Sequence, residues 1–227
     1  PGVDKGEADL SQRGQLYLEA TARALGRVYW SGPAFRAEKS KTRKHLTEFW
    51  MAEGEMAYFS YDENLALQEE LVKFIIRRVL TEKRRELDAL GRDTAALEGY
   101  LEAPFARVAY DEAIALCNSA ELRAFMAQKW VERRGAEDED RTSEGEAAAE
   151  KTVAKLSAQE VEKVVAEHKL ALEVGDDFGA PHEEALSHHF GKPVFIEKYP
   201  ASMKPFYMEP DPDNPERVLN ADLIAPE

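Results

Sequence analysis

The chain has 227 residues, 44% hydrophobic and 33% charged, which is enough apolar material for one substantial domain and too little for several. Forty-four acidic residues against 30 basic ones give a net charge of -14, so the field of the whole chain repels nucleic acid, and a phosphate ligand must be met by a local basic patch. A lone cysteine, Cys117, excludes an internal disulfide and a thiolate metal cluster; with no apolar run long enough to span a membrane and no signal-type segment near Pro1, the expectation is a cytoplasmic protein.

In chain order, SQRGQLYLEATARALG carries Leu16, Ala20, Ala24 and Leu25 at helical spacing and stops at Gly26. RVYWSGPAF and EFWMAEGEMAYFS are rich in aromatic and β-branched residues and predict two strands. The segment between them is basic, so the pair predicts a long-looped hairpin. From Asp62 to Leu90 an apolar stripe through Leu65, Val72, Ile75, Ile76, Val79 and Leu87 predicts a helix, capped by Asp62 and stopped by Gly91. DEAIALCNS and the residues after it predict further helix.

Near Arg134 the composition shifts. RRGAEDEDRTSEGE is nearly free of apolar residues and predicts a flexible linker, followed by paired helices in EKTVAKL and SAQEVEKVVAEHKLAL, the second opened by a capping box of Ser157 and Glu160. KPVFIEKY and KPFYMEP predict short strands bounded by Pro193, Pro200 and Pro210, and DPDNPE predicts the turn before RVLNADLIA. The expected class is α+β with a mainly antiparallel sheet flanked by helices. The expected organisation is a core with the hairpin over 1–133, an acidic linker and helical insertion over 134–172, and a continuation of the core over 173–227. The start at Pro1 and the strand-like ADLIAPE at the end suggest a piece of a longer chain.

The hairpin carries the chemistry. FRAEKSKTRKHLTEF, from Phe35 to Phe49, holds six basic or histidine side chains and two acidic ones in an otherwise acidic chain. Alternation along a strand puts Phe49, Met51, Glu53 and Glu55 on one face, and Trp50, Ala52, Gly54, Met56 and Tyr58 on the other. The second set reads as the ordinary core face. The first brings two carboxylates together, which in a dry core requires a partner or a ligand; from parity alone, a solvent-facing ion pair is the commoner outcome. Arg36 and Glu38 share a face on the preceding strand in the same way.

The order F-R-x-E, basic loop, H-x-x-x-F resembles motif 2 of the class II aminoacyl-tRNA synthetases. The surrounding residues resemble the asparaginyl-tRNA synthetases, from SQRGQLYLEA through RVYWSGPAFRAEKSKTRKHLTEFWMAEGEMAY, and again at GDDFGAPHEEAL, KPVFIEKYP, KPFYMEP and NADLIAPE. The resemblance implies an incomplete catalytic domain that lacks motif 3. It implies that Arg36 binds the α-phosphate of ATP and is the catalytic residue, Glu38 meets the adenine end or the ATP loop, Phe49 stacks on adenine, and Lys44 and His45 reach the outer phosphates. Gln15 and Glu53 bind the amino acid, with Glu55 behind them. The implied reaction is ligation of asparagine to tRNA(Asn) through an adenylate, with ATP and Mg2+, the acceptor end of the tRNA as partner, and a homodimer in the complete protein.

Aspartate-specific relatives carry a lysine where this chain has Leu18, and a missing cation points to a neutral amide substrate. Against the family pattern, Arg13 replaces a small serine, Trp30 and Ser31 replace a small residue and an aromatic, Gly54 replaces a proline, and Lys44 replaces an arginine. Two other readings stand beside this one: a tRNA-independent ligase that amidates aspartate, and a non-catalytic fragment binding nucleotide or RNA. His182, His188 and His189 with Glu183 and Glu184 lack metal-ligand spacing and read as a solvated helix face, and no metal site is assigned to them. Asp176 and Asp177 read as turn residues.

Overall fold

The computed structural model describes residues 10–37, 46–140 and 155–226. They divide into two compact units, residues 1–64 and 65–227.

In the first unit, helix α1 (Gln15–Leu25) precedes an antiparallel hairpin of β1 (Arg27–Phe35) and β2 (Glu48–Met56). Gly26 ends α1 at a φ of 80°, a left-handed conformation that glycine adopts without steric cost. The helix buries Leu18 and Ala22, one turn apart, against the hairpin. The helix and its stop at Gly26 are as the spacing predicts; Leu16 is 77% exposed, and Ala20, Ala24 and Leu25 are exposed with it. The spacing is helical, but the face it marks is the outer one.

The hairpin faces are also reversed from expectation. Trp50 is 75% exposed, Ala52 and Gly54 are exposed, and Tyr58 is 95% exposed, whereas Phe49, Met51, Glu53 and Glu55 are half-buried. The physical reason is α1, whose Leu18 and Ala22 require an apolar surface and take the side that carries Gly32 and Ala34, both buried. Small residues there let the helix approach.

Helix α2 (Tyr61–Glu82) spans the division between the units. Its cap is Ser60 rather than Asp62: the Ser60 hydroxyl accepts the Glu63 N–H at 3.3 Å while the Glu63 carboxylate accepts the Ser60 N–H at 2.8 Å, a reciprocal capping box. The helix ends before Lys83, and α3 (Arg84–Ala89) and α4 (Ala95–Glu102) follow as separate short helices.

The second unit is built on a three-stranded sheet in the order β3 (Ala106–Ala109), β4 (Val194–Glu197), β5 (Ala221–Ile224). β4 pairs with β3 in parallel and with β5 antiparallel. Two of the three strand pairings in the described residues are thus antiparallel, as the α+β reading expects. All four residues of the central strand are buried, including Glu197, whose carboxylate takes both an Nε and an Nη bond from Arg107 of β3. Helices α5 (Tyr110–Cys117), α6 (Ala120–Asp140), α7 (Ala158–Glu167) and α8 (Ala180–Phe190) enclose a core that includes Tyr110, Val165, Leu186, Ile196 and Tyr199.

Three expectations change in this unit. Helix α6 continues through Asp140, past the start of the expected linker at Arg134, and the rest of that linker lies outside the described residues. Lys155 and Leu156 are not helical and α7 packs beside α6; the rest of the helix expected in EKTVAKL lies outside the described residues. KPFYMEP is a turn, not a strand: Met208 N–H reaches Pro205 O at 3.0 Å and Phe206 stands fully exposed. The capping box of Ser157 and Glu160 is present, as the sequence indicates.

Candidate active site

The candidate residues described by the structure lie in the first unit. The register sets Trp30 opposite Glu53, Gly32 opposite Met51 and Ala34 opposite Phe49, so these side chains share the face covered by α1. The ladder extends one step past β1, where Arg36 N–H reaches Thr47 O at 2.9 Å. This places Arg36 on the same face. Its guanidinium lies 5.4 Å from the Phe49 ring centroid, and Nη2 lies 3.9 Å from the Met51 sulfur. A cation over an aromatic face is attracted by the ring quadrupole, so a long flexible side chain is held in one direction.

Glu53 takes the Gly14 N–H at 2.5 Å on Oε2. Gly14 opens α1 without a side-chain cap of its own, so a carboxylate 39 residues away in sequence caps the positive end of the helix. Gln15 follows directly, its amide donating to Glu19 at 2.8 Å and its oxygen accepting from Arg13 at 2.9 Å. Arg13, one of the departures from the family pattern, therefore engages the glutamine assigned to the substrate. Burial, then Glu19 and then Glu53, push the Glu55 carboxyl above its ordinary value.

Glu19 was not singled out from the sequence, although Q-x-x-x-E is the spacing that brings two side chains together on a helix. Gly54 stands in unremarkable backbone, and a Cβ there would meet only Met56 Sδ at 3.5 Å, so the position accepts other residues. Leu18 is 6% exposed, and its role in the fold is packing. Glu38, Lys44 and His45 lie outside the described residues.

An open groove of about 820 Å³ is lined by residues including Tyr17, Leu18, Thr21, Tyr29 and Phe35. Tyr17 and Thr21 sit on the opposite flank of α1 from Gln15 and Glu19. Its lining also includes Gly14 and Trp30, so the groove adjoins the contact between Gly14 and Glu53.

Of the α8 histidines, His182 is buried, while His188 and His189 are exposed as a solvated helix face requires. His182 accepts the Gly179 N–H on Nδ1 and meets Leu170 O through Nε2, His188 stacks on Phe125, and His189 packs edge-on to Phe190. Asp176 and Asp177 bond to backbone N–H groups of the turn between α7 and α8. Among the described residues no three His, Cys, Asp or Glu side chains are placed to hold a metal ion, and no helix is long and apolar enough to cross a membrane.

The chain as a whole has counterparts among known proteins. The family described as tRNA synthetases class II (D, K and N) matches residues 4–227. The chain belongs to this family. An asparagine–tRNA ligase of Thermus thermophilus is 48% identical over 224 residues, and that of Symbiobacterium thermophilum is 46% identical over 225. Each alignment takes in 99% of this chain but 42% of the relative, so this class II chain spans about two fifths of the length of the curated proteins it matches. Among solved structures, asparaginyl-tRNA synthetase from Pyrococcus horikoshii complexed with asparaginyl-adenylate is 33% identical with a TM-score of 0.68, covering 96% of this chain and 39% of its own. An aspartyl-tRNA synthetase from Entamoeba histolytica is 26% identical with a TM-score of 0.60. The class II fold here is thus shared by asparagine- and aspartate-specific relatives.

Proposed function

We propose that this chain is part of the catalytic domain of an asparagine–tRNA ligase, and that the full-length protein carrying it activates asparagine with ATP. The asparagine carboxylate attacks the α-phosphorus, a new C(O)–O–P linkage forms, and pyrophosphate leaves with the electron pair of the broken P–O bond. A hydroxyl of the terminal ribose of tRNA(Asn) then takes the acyl group and AMP leaves. The observation that carries this reading is the bracing of Arg36 on Phe49, because charge that builds on the α-phosphate is stabilised most by a donor already fixed in place. No side chain acts as a nucleophile; the site works by positioning and charge neutralisation.

Phe49 presents a ring for adenine, Glu38 is assigned to the adenine end, and Lys44 and His45 to the outer phosphates. Glu53 and Gln15 hold the amino acid through its ammonium or side-chain amide. Mg2+ is assigned only as the counter-ion of ATP: the described side chains do not converge on a metal position, and no step is routed through one. A cytoplasmic homodimer acting on the acceptor end of the tRNA completes the reading.

Arg13 supports a second reading. A guanidinium 2.9 Å from the Gln15 oxygen would suit a carboxylate substrate, as in a ligase that amidates aspartate without tRNA. ATP–pyrophosphate exchange by the full-length protein separates the readings. Exchange dependent on asparagine supports the ligase, exchange dependent on aspartate supports amidation, and none with either leaves a non-catalytic nucleotide- or RNA-binding protein.

A further inference from the structure

We propose that Trp30 is a positioning residue for the amino-acid site, locking Glu53 onto the start of α1 so that Glu53 and Gln15 meet the substrate as one rigid unit. The inference rests on the asparagine-activating reading above and adds a residue to it.

The geometry comes from two glycines. A Cβ on Gly14 would lie 3.0 Å from Glu53 Oε2 and 3.0 Å from Trp30 Cδ2, and a Cβ on Gly32 would lie 2.5 Å from Trp30 Cζ2. The indole therefore fills the space that a side chain at either glycine would need, with its ring junction nearest Gly14 and its six-membered ring nearest Gly32. Neither contact survives an added methyl without displacement of the ring. Trp30 faces Glu53 directly across the hairpin, on the half-buried face.

The ring thus backs Gly14, whose N–H donates to Glu53. An apolar plate beside that charge-assisted bond lowers the local dielectric and keeps water from competing for either partner. Oε2 takes the Gly14 N–H, and among the described residues no hydrogen bond to Oε1 competes with an ammonium or amide group there. Gln15 is the next residue after Gly14, so what fixes Gly14 also fixes the backbone that carries Gln15. In this chain, where the ring lies against Gly14, its removal would take that support away and let both substrate contacts drift.

The test is steady-state exchange by the full-length protein and its Trp30→Ser and Trp30→Phe variants. Trp30→Ser should raise the KM for asparagine about ten- to a hundredfold, the scale of a small misplacement, with kcat and the KM for ATP changed by less than about threefold. Trp30→Phe should restore most of the loss. Gly32→Ala should raise the asparagine KM in the wild type but add nothing in the Trp30→Ser background, where the ring it strikes is gone. An unchanged asparagine KM in Trp30→Ser overturns the inference. So does a parallel rise in both KM values with a lowered melting temperature, which marks a merely structural role, or a Gly32→Ala effect equal in both backgrounds. A wild type that shows no asparagine-dependent exchange overturns the functional reading itself, and the inference with it.

Discussion

Arg36 and Phe49 meet across the open end of the hairpin, with the guanidinium carbon 5.4 Å from the ring centroid and the Arg36 N–H tied to Thr47 O at 2.9 Å. Both ends of the arginine are thus held, the backbone by the strand ladder and the head group by the ring. In the full-length protein, Arg36→Ala should slow adenylate formation roughly a hundred- to a thousandfold, the usual scale for losing one preorganised donor. Arg36→Lys should recover only part of this, since it keeps the charge and loses the planar fork. Single-turnover adenylate formation within about threefold of wild type in Arg36→Ala would move the assignment to another residue.

The hairpin and its chemistry were legible because aromatic and β-branched runs mark strands, and because parity assigns side chains to shared faces without coordinates. What parity does not contain is which face is covered. That was decided by α1, whose own inward residues, Leu18 and Ala22, are outnumbered in the sequence by the exposed Leu16, Ala20, Ala24 and Leu25. β3 went unread because four residues, ARVA, are too few for their alternation to mark a strand, and its place is set by pairing with the fully buried β4. KPFYMEP has the composition of a strand, yet its prolines and the Pro205–Met208 turn bond bend it. The roles of Arg36, Gln15 and Glu53 came from resemblance. The contact of Trp30 with two glycines depends on ring placement that no spacing rule encodes.

Glu55 gives a pH-dependent test of the covered face. Its carboxyl is raised above the ordinary 4.5, first by burial, then by Glu19 and Glu53. A carboxyl with a raised folded value binds its proton more tightly in the folded state. The fold is then favoured at low pH, and that advantage is lost as the pH rises through the folded value. Glu55→Gln should therefore raise the melting temperature at about pH 8 and leave it unchanged at about pH 3, below the ordinary carboxylate range. An equal shift at both pH values would show that the effect is packing rather than charge.

His182 should behave in the opposite sense in the second unit. The imidazole is buried, Nδ1 accepts the Gly179 N–H at 3.1 Å, and Nε2 meets Leu170 O at 3.2 Å. Burial holds its basicity below the ordinary 6.5, outweighing the two backbone bonds and the nearby Asp176 charge, which act the other way. Protonation at Nδ1 would also remove the acceptor that opens α8. Above the ordinary value both states are neutral and the full stability is present. As the pH falls below it, the unfolded chain takes up the proton first, so stability declines until the lowered folded value is reached and then levels off. The difference in melting temperature between wild type and His182→Asn should accordingly shrink on going from about pH 8 to about pH 5, because asparagine offers Gly179 an acceptor that does not titrate. A difference that stays constant across that range would mean that His182 binds its proton equally well in the folded and the unfolded chain, and the cap would then owe nothing to its neutrality.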